Sequence, residues 1–170
     1  GHSRGGGQVA AYSQNADADV LGQVLIAPST WNPEYVETAY YNSYQKRLAD
    51  LIDVAKQQPI NGWMPEPTDF IYCNKAPKVR AASFLSYYQP TQTLNTPDLL
   101  VEGGLHTVIL AGSEDQVVKD LPEQLQSHEF SNVEFIMLDG ADHFFRDLYA
   151  DDIVEAMVDA IVTLTEADQS

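Results

Sequence analysis

Between residues 106 and 167, short apolar runs alternate with longer amphipathic ones, and that alternation leaves the chain few architectures. HTVILAG (106–112) and VEFIMLDG (133–140) are short and almost wholly apolar, and read as strands. DLPEQLQSHEF (120–130) and LYADDIVEAMVDAIVTLTEA (148–167) read as helices, the second with a stripe of Ile153, Met157, Ala160, Ile161 and Leu164. Parallel strands need a crossover long enough to hold a helix, so this order predicts an α/β fold: a parallel sheet with flanking helices. The first 28 residues supply another piece of the same kind. GGQVAAYSQNA offers Val9, Ala10 and Tyr12 to one side of a short helix, NADAD (15–19) breaks it, and VLGQVLIAP (20–28) reads as a buried strand closed by Pro28.

Residues 29–100 have a different texture, rich in proline and holding most of the tyrosines. From Pro33 to Gln58 no proline or glycine intervenes, and Val36, Tyr40, Tyr44, Leu48, Leu51 and Ala55 recur at helical steps, which predicts one long amphipathic helix with Pro33 in its first turn. QPINGWMPEPTDF then reads as a loop, and VRAASFLSYY (79–88) as a second helix. TPDLL (96–100) reads as a capped helical turn with Thr96 as N-cap and Pro97 as first helical residue. The expected organisation is a core formed by 1–28 and 101–170, interrupted by a helical insertion over 29–100.

Charge and cysteine usage narrow the classes of function. Nine Lys and Arg against 25 Asp and Glu give a formal charge of −16, which repels phosphate backbones and anionic lipid surfaces, so neither nucleic acid nor membrane is an expected partner. Cys73 is the single cysteine, so no internal disulfide forms, and without a neighbouring histidine or helix start it reads as a small packed side chain rather than a nucleophile. No stretch approaches the roughly 18 to 20 apolar residues of a membrane span, and no signal-peptide pattern is present, so a cytoplasmic location is expected.

Three residues point to chemistry. Gly1-His2-Ser3-Arg4-Gly5 fits G-x-S-x-G, in which a serine sits on a tight turn into a helix and a Cβ at either flanking glycine is expected to clash; Gly6 and Gly7 would let that helix pack closely. A serine hydroxyl is a weak nucleophile and needs a base in reach, with a third group to orient the base. His143, in LDGADHFFRDL just after a predicted strand, is the candidate base. Of the other histidines, His2 lies inside the turn and is expected to point away from the base position, His106 opens a strand, and His128 belongs to a polar helix. Asp115, in a short G-x-x-D turn after the strand ending at Gly112, is the preferred orienting acid, with Glu114 and Asp142 as alternatives. No phosphate-loop or metal-ligand spacing appears, so no cofactor and no metal are expected.

With these segments in the order Ser3, Asp115, His143, the chain resembles the second half of the α/β-hydrolase superfamily. GHSRGG looks like its nucleophile elbow, VLIAP its following strand, 29–100 a helical cap, VILAGSEDQVV the acid-bearing strand and turn, GADHFF the histidine loop, and the last helix the closing helix. The resemblance implies Ser3 as nucleophile, Asp115 as acid, His143 as base and the backbone N–H of Arg4 as one oxyanion donor. It implies an esterase-like reaction on a small acyl substrate, with the cap governing substrate choice. Trp31, Tyr35, Tyr40, Tyr41, Tyr44, Trp63, Phe70, Tyr72, Phe84, Tyr87 and Tyr88 make that region aromatic, each open to packing or to a pocket, and favour an apolar acyl group. The family places strands and a second oxyanion donor ahead of the elbow, so the chain is expected to be a carboxyl-terminal portion with an open sheet edge that invites self-association or a complementing chain. A non-catalytic binding protein on the same sheet, or a piece inactive without its other half, is the alternative.

Overall fold

The computed structural model describes every residue except 16–18, 72, 90–94 and 169–170; the side chains of 102, 164 and 166–168 are also outside the described set. Its elements run α1 (Arg4–Ser13), β1 (Gly22–Ile26), α2 (Pro33–Tyr44), α3 (Leu48–Lys56), β2 (Thr68–Phe70), β3 (Cys73–Ala76), α4 (Ala81–Tyr88), α5 (Thr96–Glu102), β4 (His106–Gly112), α6 (Leu121–Gln126), β5 (Val133–Leu138) and α7 (Tyr149–Asp168). Contacts divide the chain into two compact units, Gly1–Thr30 with Gln92–Ser170, and Trp31–Thr91.

The first unit is built on a parallel sheet of order β1-β4-β5, with Gly22 opposite His106 and Thr107 opposite Val133. β4 is central and buried from Thr107 to Gly112, which is why its sequence is an unbroken apolar run. Alternate residues serve two cores. Leu25, Ile109 and Ala111 meet Ala10 of α1, Leu100 of α5 and Leu121 and Leu125 of α6 on one face. Val108 and Leu110 meet Ala160, Ile153 and Ala156 of α7 on the other. Each of the fully buried Leu25, Ile109 and Leu110 contributes about 1.5–3 kcal/mol relative to exposure. β5 is an edge strand, with Phe135 and Met137 more than a third exposed.

The α7 stripe differs from the expected one. Ile153, Ala156 and Ala160 face the sheet, whereas Ile161 is 54% exposed, being a further 100° round the helix from Ala160; the Leu164 side chain lies outside the described residues. In α5 the N-cap is Asn95, so Thr96 and Pro97 each sit one position further into the helix than expected, and the Thr96 hydroxyl donates instead to the Ser29 carbonyl at 2.7 Å. α6 ends at Gln126, which leaves His128 beyond the helix, its Nδ1 2.8 Å from the Gln124 carbonyl.

The second unit corrects the single long helix expected over 33–58. The chain breaks at Gln45, which adopts the left-handed φ of 55° although it is neither glycine nor asparagine. The break is stabilised from a distance: the Glu37 carboxylate accepts from the Leu48 and Ala49 N–H groups, each at 3.1 Å, supplying the α3 N-terminus with the cap its own sequence lacks. Asn32 caps α2 through the Tyr35 N–H, with Pro33 at the first position. The helices are joined by an antiparallel β2–β3 pair that the sequence did not announce. Tyr40, Phe84 and Tyr88 are core residues here, with ring centroids 4.9–6.4 Å apart, and the Tyr40 hydroxyl donates to the Asp69 carbonyl at 2.7 Å. Trp63 and Tyr41 remain more than 40% exposed, and Tyr72 lies outside the described residues.

Candidate active site

Ser3 stands at the start of α1 with φ 53° and ψ −127°, a conformation that costs a residue with a Cβ about 1–3 kcal/mol. The surroundings over-determine it. The Ser3 N–H donates to Ile26 O at 2.8 Å, the Ile26 N–H donates to Gly1 O at 2.8 Å, and the Ser3 carbonyl accepts from Gly6, Gly7 and Ser29 at 2.9–3.2 Å. Of the two flanking glycines, only Gly1 is required by space. A Cβ there would lie 2.6 Å from the Gly5 carbonyl oxygen, whereas one at Gly5 would meet nothing within 4 Å. The expectation that both positions clash is therefore corrected: Gly5 already lies in the helix, its Cβ direction pointing into open space.

Although Ser3 occupies the N-cap position, its side chain makes no capping bond. Its Oγ lies 2.9 Å from His143 Nε2. The opposite ring nitrogen, Nδ1, lies 2.8 Å from Asp115 Oδ2, and both His143 and Asp115 are buried, at 3% and 5% exposure. A carboxylate can only accept, so Nδ1 carries the proton, Nε2 presents a lone pair, and the Ser3 hydroxyl donates to it. Three residues from three different loops thus form one directed hydrogen-bond chain.

The loops after β4 and β5 are fastened to each other, which fixes Asp115 relative to His143. Ser113 N–H donates to Leu138 O at 3.0 Å, Glu114 N–H to Ala141 O at 2.9 Å, and Gly140 N–H to the Ser113 hydroxyl at 2.8 Å. At Gly112 the approach is so close that a Cβ would sit 2.2 Å from the Ala141 carbonyl oxygen. Phe145, with φ 48° and 3% exposure, anchors the far side of the histidine loop in the core.

Asp115 is held as a carboxylate. Burial opposes its charge, but the bonds from His143 and from the Val118 and Val117 N–H groups, at 3.0 and 2.7 Å to Oδ1, outweigh burial and hold it below the ordinary carboxylate range. The two alternatives are occupied elsewhere. Glu114 is exposed, and Asp142 accepts from the Phe144 N–H and from Arg146, which keeps it low in pKa chiefly through the arginine bond. Arg4, the residue after the serine, opens α1, so its N–H belongs to the positive end of that helix. His2 does not point away as expected. Its Nε2 lies 2.8 Å from the His143 carbonyl oxygen. Among the described residues no cluster of His, Cys, Asp and Glu could hold a metal ion, and no helix is long and apolar enough to cross a membrane.

Comparison of the sequence with protein-family models gave no match, and neither did comparison with curated proteins. Solved structures do match. Est1E from Butyrivibrio proteoclasticus, solved with ferulic acid bound, superposes with TM-score 0.60 at 14% identity over 98% of this chain and 58% of its own. A structure from a study of carboxylesterases of Nitrososphaera gargenis gives TM-score 0.60 at 17% identity, covering 98% and 65%. A Paleococcus ferrophilus monoacylglycerol lipase gives 0.58 at 14%, covering 96% and 67%. The chain thus spans less than two-thirds of the length of the first two. In fold, the chain shares with part of each of these structures a parallel sheet flanked by helices, the architecture of the α/β-hydrolase fold.

Proposed function

We propose that this chain carries the reaction centre of a serine hydrolase acting on carboxylic esters, with Ser3 as nucleophile, His143 as general base and Asp115 as the acid that orients it. The observation that carries this is the directed chain Ser3 Oγ–His143 Nε2 and His143 Nδ1–Asp115 Oδ2, at 2.9 and 2.8 Å. The strained Ser3 backbone supports it, since such strain persists where a reactive group must be presented. The esterase and lipase descriptions of structures sharing the fold support the substrate class.

In the proposed reaction Ser3 Oγ bonds to the ester carbonyl carbon as His143 Nε2 takes its proton. The carbonyl electron pair moves to oxygen, where the Arg4 N–H and the α1 dipole stabilise the charge. Collapse of the tetrahedral species breaks the bond to the alcohol, which leaves with the His143 proton. Water, deprotonated by His143, then attacks the acyl-Ser3 ester; the bond to Ser3 Oγ breaks, that oxygen takes the proton back from His143 Nε2, and the acid is released. Asp115 remains ionised throughout and stabilises the imidazolium.

A fluorophosphonate probe tests this on the longest form of the protein. Covalent labelling of Ser3, lost in Ser3→Ala and slowed at least a thousandfold in His143→Gln, is the expected result. Absence of labelling in a folded protein would refute it.

A further inference from the structure

His2 takes no part in the proposed reaction, yet its ring is engaged with the main chain of His143. The Nε2 atom lies 2.8 Å from the backbone carbonyl oxygen of His143, 141 residues away. A carbonyl only accepts, so His2 carries a proton on Nε2 and donates it. The two imidazoles are 4.9 Å apart and tilted by 44°, and the Phe144 ring lies 6.3 Å from His2 and 5.2 Å from His143. His2 is itself fixed: its backbone bridges to Ile26 in parallel fashion, directly ahead of the strained Ser3. The serine turn therefore grips His143 twice, at the ring through Ser3 Oγ and at the main chain through His2.

Only one of those two grips survives the reaction. Once Ser3 Oγ is acylated it has no proton to donate, and the bond to His143 Nε2 is gone while that nitrogen turns to water. The His2 bond does not involve a reacting atom and persists. The hydrogen bonds from Glu114 and Ser113 fasten the loop to the β4 side, beside Asp115, and Ala141 and Phe145 seat it in the core by packing alone, whereas His2 adds a directed bond at the His143 carbonyl itself. We propose, resting on the reading of Ser3 as nucleophile, that His2 is a positioning residue that holds the His143 main chain against the serine turn and keeps the base in reach while the enzyme is acylated. A misplacement of the base by about 1 Å is enough to cost on the order of a hundredfold in rate.

The test compares His2→Phe and His2→Leu, which remove the donor, with His2→Gln, whose amide nitrogen is the same number of bonds from the backbone as Nε2. Two readouts are needed. Hydrogen exchange over residues 140–147 is expected to quicken several-fold in the first two variants and to stay at the wild-type rate in His2→Gln. Fluorophosphonate labelling is expected to be about tenfold slower for His2→Phe and His2→Leu, and burst kinetics with a chromogenic ester on separate, unlabelled samples are expected to show a still larger loss in the deacylation step. His2→Gln should remain within about twofold of wild type in both. Unchanged exchange in folded His2→Phe and His2→Leu would overturn the tether, as would His2→Gln behaving like His2→Phe. The exchange difference between the variants and wild type, together with no labelling of Ser3 in wild type, would instead overturn the hydrolase reading.

Discussion

At the scale of single residues, Asp115 carries more than one task. It accepts two backbone N–H bonds on one oxygen and the imidazole on the other, so it both closes its own turn and sets the histidine tautomer. Asp115→Asn should lower turnover by about 10⁴ because a carboxamide can present its NH2 to Nδ1 and invert the tautomer, while the fold is retained; steady-state kinetics beside a thermal melt checks this. The lowered pKa of Asp115 also ties stability to pH. Its folded value lies below the unfolded one, so its contribution is complete above about pH 4 and is lost as pH falls through the folded value. A denaturation series from pH 6 to pH 2 should show wild type losing more stability than Asp115→Asn over the acid end of that range; parallel curves would contradict it. That Ser3, Asp115 and His143 come together was legible because Asp115 and His143 follow β4 and β5 and Ser3 opens α1 beside the end of β1, so all three lie at the carboxyl ends of parallel strands. The contact of His2 was not legible, because where a side chain points beside a left-handed turn depends on φ 53° at Ser3, which no spacing encodes.

At the scale of elements, the strands of the first unit were readable because β4 is buried on both faces and leaves an apolar run. The α2–α3 break and the β2–β3 pair were not. The break depends on Gln45 in a left-handed conformation and on a cap donated from Glu37 eleven residues before Leu48, so the local sequence still reads as continuous helix. The hairpin turns at Ile71 with φ 57°, again without a glycine, and its strands are only Thr68–Phe70 and Cys73–Ala76. Glu37→Ala should therefore destabilise the 31–91 unit by about 1 kcal/mol, read by hydrogen exchange at Leu48–Lys56, with labelling of Ser3 untouched. The junction of β4 with the histidine loop is less forgiving. In Gly112→Ala the new methyl would lie 2.2 Å from the Ala141 carbonyl oxygen, two residues before the base. The loop must move by more than half an ångström, and a fall in activity of ten- to a hundredfold, larger than the drop in Tm explains, is expected from paired kinetics and melts.

At the scale of the whole molecule, a formal charge of −16 sets a self-repulsion that salt screens. Raising sodium chloride from about 10 to 300 mM should raise Tm by a few degrees, and a flat response would mean that the carboxylates are already neutralised in pairs. The larger consequence comes from how the chain visits its two units. Trp31–Thr91 is continuous, whereas the unit that holds Ser3 is made from two segments separated by it, and its Ser3–His143 hydrogen bond joins residues 140 positions apart. Local contacts close faster than distant ones, so the inserted segment should acquire structure while the halves around it are still apart. During synthesis, the Ser3 hydroxyl therefore lacks its His143 partner until the chain has been extended 140 residues beyond it. A product that stops before residue 143 would keep Ser3 without that partner, and under the proposed function it should take no fluorophosphonate label, so that labelling would arrive in a single late step.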